Sequence, residues 1–276
     1  MDCINKLELL KEITLSYQRV LVAFSGGSDS AFVLKIARDV LGKENVLAVI
    51  AKSPSLPAAE LEDAKKIAEE IDAPLQVIET NELENSSYTA NPINRCYFCK
   101  TELYSHMISL AEKSGYRFIL NGTNQDDLGD WRPGLKAAAE YEIKSPLVEA
   151  GFTKSEIRAT SQLLGLSTWS KPQAACLSSR IPFGTSITPE RLSQVEVGES
   201  ILKELGFEVV RLRWLHDTAV IEVGSEETQT FFQNPHVREE ALARLKTLGF
   251  QNIQLDLHGY RSGRFNPVRE KETVLQ

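Results

Sequence analysis

Residues 19–24, RVLVAF, run directly into SGGSDS, and the chain then takes up the helical apolar rhythm of AFVLKIARDVLG, closing on Gly42. An apolar strand, a glycine turn and an amphipathic helix in that order commit this part of the chain to a layered α/β arrangement. The pattern recurs. NVLAVIA (45–51) predicts a second strand, AAELEDAKKIAEEID (58–72) a helix and PLQVIET (74–80) a third strand. KTELYSHMISLAEKSG (100–115) predicts another helix and RFILNGT (117–123) a fourth strand. Short apolar runs alternating with helices imply a parallel sheet covered on both faces. Ligands of such sheets sit at the carboxyl ends of the strands. That edge should carry Ser25–Ser30, Asn121–Asp130 and the segment around Cys176.

The pattern changes after about residue 185. PERLSQVEVGESILKELGF predicts a helix, followed by the strands EVVRLRWL and TAVIEVG, a second helix EEALARLKTLGF and the strand NIQLDLHGY. LKELGFEVVRLR (202–213) and LKTLGFQNIQLDL (245–257) read as two copies of one helix–strand unit. The expected fold class is therefore α/β. A Rossmann-like domain with a parallel sheet spans 1–185, a smaller α+β domain of ferredoxin-like type spans 186–265, and 266–276 is a tail.

The bulk properties narrow the partners. A net charge of −7 over 276 residues argues against a broad nucleic-acid face. No apolar run reaches the ~18 residues of a membrane span, and the start MDCINKLELLKEI lacks the charged and apolar regions of a secretory signal. Four cysteines make a poor disulfide framework in a chain of this length. Free, metal-bound or catalytic thiols in a reducing cytoplasm are expected instead.

Three stretches carry chemistry. In SGGSDS, the bare N–H groups of a glycine turn and a helix start suit a phosphate or pyrophosphate, the serines add hydroxyls, and Asp29 is placed to hold Mg2+. No GxxxxGK[ST] occurs, and a loop without its own lysine suits a departing pyrophosphate. Strand–SGGxDS–helix resembles the signature of the PP-loop pyrophosphatases, which split ATP into AMP and pyrophosphate to adenylate a carbonyl oxygen. In NGTNQDDLGDWRPG (121–134), Asp126, Asp127 and Asp130 concentrate charge where Mg2+ and triphosphate would pass, and Arg132 suits a phosphate or carboxylate. These acidic residues read equally as a helix start favoured by the dipole. In KPQAACLSSRIPFGTSIT (171–188), Pro172 and Pro182 rule out a long helix. Arg180 and the serines around Cys176 suggest an anion-binding pocket of the kind that accommodates a thiolate.

SGGSDS, GTNQDDLGDWRPG, SPL, KSEIR, KPQAACLSSRIPFG and RLR occur in the order found in the LarE sulfur transferases, and the resemblance covers about residues 5 to 265. It implies ATP-dependent adenylation of a carboxylate of pyridinium-3,5-biscarboxylic acid mononucleotide and replacement of an oxygen by sulfur, for the nickel-pincer nucleotide cofactor. It implies that Ser25, Gly26, Gly27, Asp29 and Ser30 hold the ATP phosphates; Ser28, Gly122, Asp126, Arg132 and Arg180 are the further candidates for the nucleotide site. Cys176 would be the sulfur-bearing cysteine, and Arg211, Arg213 and Glu199 would line the substrate side. The resemblance also implies a homo-oligomer; the sulfur donor stays unnamed. One position departs from the expected pattern: AVIEV places Val220 where an arginine is expected.

CYFC (96–99) supplies two further thiols. With Cys176 they resemble the ligand set of the cluster-dependent LarE group, so a [4Fe–4S] cluster on Cys96, Cys99 and Cys176 is expected, with one iron lacking a protein ligand. The alternatives are a zinc site completed by His106, a redox pair and two unrelated thiols. If no cluster forms, Cys176 gives up its own sulfur. Competing functions with the same ATP chemistry are a PP-loop tRNA thiolation enzyme and an amide-forming ligase like NAD or GMP synthetase. An ATP-binding redox sensor is the non-enzymatic alternative.

Overall fold

The computed structural model describes residues 3–129, 132–261 and 264–265. Asp130 and the tail at 266–276 lie outside the described residues. The chain divides into two compact units: the chain up to Asn85 with Asn94–Ala175, and Ser86–Ile93 with the chain from Cys176 on.

In the first unit, α1 (Cys3–Ser16) precedes β1 (Val20–Ala23), α2 (Ser28–Leu41), β2 (Val46–Lys52), α3 (Ala58–Glu70) and β3 (Leu75–Glu79). A single turn of helix, α4 (Ser86–Thr89), belongs to the second unit. The first unit resumes with α5 (Arg95–Ser114), β4 (Phe118–Leu120), α6 (Gly134–Glu140), α7 (Pro146–Glu149) and α8 (Lys154–Leu163). The sheet is parallel, with order β3-β2-β1-β4. β1 is apolar at every position because both its faces are covered. Val20 and Val22 pack with Ala31, Phe32 and Leu34 of α2, whereas Leu21 packs with Tyr104 and Met107 of α5. From β1 the chain steps outward to β2 and β3, then returns through α5 to add β4 on the other side of β1. Strand order reverses there, and the segments leaving β1 and β4 flank the crevice that such a reversal opens.

α5 starts at Arg95, earlier than the expected residue 100, so Cys96 and Cys99 lie within the helix. Pro92 is the last residue unsuited to a helix interior, and nothing between Asn94 and Thr101 breaks the pattern.

The second unit contains α9 (Pro189–Glu204), β5 (Val210–Leu215), β6 (Thr218–Val223), α10 (Thr228–Gln233), α11 (Pro235–Thr247) and β7 (Asn252–Leu255). Its sheet order is β5-β6-β7, with β5 antiparallel and β7 parallel to β6. The two similar phrases become α9–β5 and α11–β7, one on each side of β6. Both helices start alike: Thr188 accepts from Arg191 N–H, Asn234 accepts from Val237 N–H, and proline follows each cap. Among the described residues, three mixed strands stand where a ferredoxin-like sheet has four. The units part between Ala175 and Cys176, where the sequence suggested 185/186. Backbone pairing explains this: Gly184 N–H donates to Asn91 O and Ile187 N–H to Thr89 O, tying 176–188 to the 86–93 strip.

Leu21 is fully buried between β1 and α5. Leu21→Ala should lower the unfolding free energy by ~2–5 kcal/mol, read as an earlier urea midpoint. A loss below ~1 kcal/mol would contradict the two-faced burial of β1.

Candidate functional site

The turn after β1 is built by close approach. Gly26 has φ +69°, and a Cβ on it would stand 2.8 Å from Cβ of Ala64 in α3. From the segment after β4, a Cβ on Gly122 would stand 2.8 Å from the backbone nitrogen of Ser30. Glycine at these two positions lets the turn approach α3 and the β4 segment approach the start of α2. Gly27 holds the N-cap position of α2 in an extended conformation, with no side-chain cap. Ser30 Oγ instead turns back onto the loop, accepting from Ser25 N–H at 3.2 Å and donating to Gly27 O at 3.2 Å, with Ser25 Oγ 3.1 Å away. The start of α2 thus keeps its N–H groups and the positive end of its dipole for an anion.

The β4 segment is knitted to this turn. Asp29 accepts from Ser28 Oγ (2.9 Å) on one oxygen and from Asn124 Nδ2 (3.1 Å) on the other, with Lys154 Nζ 3.8 Å away. Asp127 accepts from Asn124 N–H and pairs with Arg132 at 2.8 Å. Burial raises the Asp127 pKa above the usual carboxylate value, and the Arg132 guanidinium opposes that rise. Asp126 takes a different task, accepting from Lys154 N–H (2.7 Å) at the first residue of α8. Sequence reasoning passed over Asn124 and Lys154. Asn124 is fully buried within a loop that has no periodicity to mark it. Lys154 is recruited from a distant helix start, whose only local sign is the Thr153/Glu156 capping box.

In the second unit, Cys176 is half-buried at the head of the short turn Leu177–Arg180. Arg180 is buried, and its Nε and Nη2 fork onto the two oxygens of Glu199 at 2.8 and 3.0 Å. Glu199 also accepts from Leu212 N–H at 3.0 Å. Arg213 is buried against Glu222 through Nε (2.9 Å) and Nη2 (2.7 Å). The pairing is diagonal, since Val220 stands directly opposite Arg213 in the β5–β6 register. An arginine at 220 would face Arg213 with like charge. Arg211 donates to Val210 O and lies 4.9 Å from the Tyr260 ring centroid. Burial, and next the charge of Arg180, lower its pKa from the usual arginine value. A guanidinium held this way gains from an anionic ligand. Arg180, Arg211, Arg213 and Glu199 are thus brought together beside the Cys176 turn.

On α5, Cys96 is exposed and Cys99 is half-buried. Cys99 Sγ lies 3.9 Å from Oε1 of buried Glu82, whose two oxygens also accept from Ser55 and Thr80. His106 lies on the same helix, about two turns beyond Cys99. Among the described residues, no three of His, Cys, Asp and Glu are gathered to hold a metal ion. Nor is any described helix long and apolar enough to cross a membrane.

Residues 8–96 match the NAD synthase family. The whole chain has longer matches. An uncharacterised protein of Synechocystis sp. is 46% identical over 267 residues, covering 97% of this chain and 99% of its own length. The pyridinium-3,5-bisthiocarboxylic acid mononucleotide synthase of Lactiplantibacillus plantarum is 40% identical over 255 residues, covering 92% of this chain and 91% of its own. An NH3-dependent NAD+ synthetase of Methanococcoides burtonii is 45% identical over only 65 residues, or 23% of this chain.

A larger residue at Gly26 must leave its φ and displace α3. Gly26→Val is expected to weaken ATP binding at least about tenfold (~1.4 kcal/mol) in a calorimetric titration. Unchanged affinity would remove the turn from the nucleotide site.

Proposed function

Because this chain belongs to the LarE family of ATP-dependent sulfur transferases, with a PP-loop domain of NAD synthase type, we propose that it adenylates a carboxylate of pyridinium-3,5-biscarboxylic acid mononucleotide and converts it to a thiocarboxylate for nickel-pincer nucleotide synthesis. The proposed setting is the cytoplasm. Ser25, Gly26, Gly27, Ser28, Ser30 and Gly122 receive the ATP phosphates at the start of α2. Asp29 holds Mg2+, which would offset phosphate charge, and Lys154 adds a cation that the loop itself lacks. The observation carrying this half of the reading is the glycine-lined helix start without a side-chain cap where strand order reverses.

The substrate carboxylate oxygen attacks the α-phosphorus, the bond to the β-phosphate breaks and pyrophosphate leaves. The carboxyl carbon is then activated by AMP. Cys176 Sγ attacks that carbon, a C–S bond forms and AMP departs with the electron pair of the broken C–O bond. For the sulfur to stay with the product, the Cβ–Sγ bond of Cys176 must break as its α-proton is lost, leaving dehydroalanine. Arg211, with its depressed pKa and aromatic neighbour, faces the anionic substrate.

On the chemistry of the thiols we extend the proposal to the sulfur source: a [4Fe–4S] cluster on Cys96, Cys99 and Cys176. Cys96 and Cys99 stand one turn apart on α5, a spacing that serves one cluster. The Glu82 carboxylate beside Cys99 is a like charge that bound thiolates would have to tolerate. If bound, such a cluster would be held by these cysteine thiolates and would supply sulfide in place of the Cys176 sulfur. The amide-forming reading rests on the match over residues 8–96. Identity along almost the whole chain favours sulfur transfer.

Cys176→Ala should abolish sulfur transfer while substrate-dependent ATP–pyrophosphate exchange continues. Retained transfer would sink the assignment. Oxygen-free reconstitution with iron and sulfide separates the two sulfur sources. A broad absorption near ~400 nm with about four irons per chain, absent in Cys96→Ala, supports the cluster. Activity that stops after one equivalent, with dehydroalanine at 176, assigns the sulfur to Cys176.

A further inference from the structure

The turn bearing Cys176 is gripped from outside by two buried ion pairs. The Cys176 carbonyl accepts twice, from Ser179 N–H and from Arg180 Nη1, each at 2.9 Å. Arg180 is itself fixed by its fork onto Glu199, and Glu199 is fixed to the β5 backbone at Leu212. At the far end of the turn, the Ser179 carbonyl accepts from Arg213 Nη1 at 3.1 Å, and Glu222 holds Arg213. Glu222 is fully buried and also pairs with Arg264. Between the two gripped carbonyls, the buried Ser178 hydroxyl meets the Tyr88 hydroxyl of α4 at 2.7 Å.

A guanidinium held by a carboxylate through two of its nitrogens, as Arg180 is on both oxygens of Glu199 and Arg213 on the one oxygen Oε2 of Glu222, directs its remaining N–H along a fixed line. Two such groups therefore set the peptide planes at both ends of Cys176–Ser179, and the Tyr88–Ser178 contact prevents rotation between them. Leu177, Ser178 and Arg180 are buried, so half-exposed Cys176 and Ser179 are what this rigid turn presents, and Cys176 carries its only thiol. Its sulfur keeps little freedom beyond rotation about χ1. Attack requires reacting atoms ~3–3.5 Å apart, and a misplacement of ~1 Å can slow a reaction ~100-fold.

We propose that Glu199–Arg180 and Glu222–Arg213 act as paired backbone clamps that aim the Cys176 sulfur, with Glu222 and Tyr88 as positioning residues for the transfer step. The proposal rests on the reading of Cys176 as the cysteine whose sulfur meets the activated carboxyl. Glu222→Gln keeps the shape and removes the charge that anchors Arg213. Tyr88→Phe deletes only the hydroxyl, and it decides the matter if Glu222→Gln fails to fold.

Two steps are measured separately: substrate-dependent ATP–pyrophosphate exchange, and single-turnover sulfur transfer. Alkylation of Cys176 by iodoacetamide in the folded protein reports the placement of the thiol. Glu222→Gln should slow transfer at least about tenfold, the equivalent of ~1.4 kcal/mol. Tyr88→Phe should slow it roughly 2–10-fold, the range of one neutral hydrogen bond. Exchange and the KM for ATP should stay within about twofold while the alkylation rate changes. Exchange falling in step with transfer would reduce both residues to structural supports and overturn the proposal, as would transfer at the wild-type rate. Cys176→Ala separates the two levels. If it still transfers sulfur, the underlying reading fails and the clamps with it; if it is inactive while both other variants transfer normally, the clamps alone fail.

Discussion

The first unit depends on one backbone-to-backbone contact, between Gly122 after β4 and Ser30 in the first turn of α2. A parallel sheet that reverses its strand order opens a crevice, but the crevice becomes a phosphate site only if the helix start stays uncovered. Gly26 brings the loop onto α3, Gly122 brings the β4 segment onto the loop, and neither adds a side chain over the N–H groups. Asn124 then bridges the segments by reaching Asp29 with its amide and Asp127 with its backbone. The polar network consists mainly of short side chains bonded to backbone, which loses little conformational entropy.

The second unit addresses a different constraint with longer side chains. A nucleophile on a loop is only as well placed as the loop, and loops are ordinarily the mobile part of a fold. Here the loop carbonyls are gripped by arginines that are themselves neutralised by buried glutamates. Removing one partner of such a pair leaves a charge stranded away from water, a loss of ~3–5 kcal/mol. The same pairing leaves Arg211 as the guanidinium of the cluster whose pKa burial and its cationic neighbour depress. Arg180 and Glu199 therefore support the turn through each other.

Much of this was legible from periodicity. The strands β1 to β4 and the helices between them follow from short apolar runs broken by glycine and by amphipathic segments, and SGGSDS fell at the carboxyl edge as expected. The repeated helix–strand phrases were also visible, because in each a lysine-bearing helix end turns at Gly-Phe into an apolar strand. Other features had no local signal. Residues 86–93 join the second unit through backbone bonds to 184 and 187, a pairing that hydrophobic pattern does not encode. Helix α5 reaches back to Arg95 because nothing halts it, so Cys96 and Cys99 became helical. Asn124, Lys154, Tyr88 and Glu222 acquire their importance only from partners distant in sequence. Arg180 stood out beside Cys176, and Arg213 and Glu199 only through the family resemblance; the pairings Arg180–Glu199 and Arg213–Glu222 had no local signal.

The most direct test of the central claim supplies the protein with ATP, Mg2+ and pyridinium-3,5-biscarboxylic acid mononucleotide without oxygen, and weighs the acceptor by mass spectrometry. The account predicts an acceptor heavier by the difference between sulfur and oxygen, with AMP and pyrophosphate formed in step. ATP cleavage with the acceptor unchanged in mass, or an acceptor converted to an amide when ammonia is present, would contradict it.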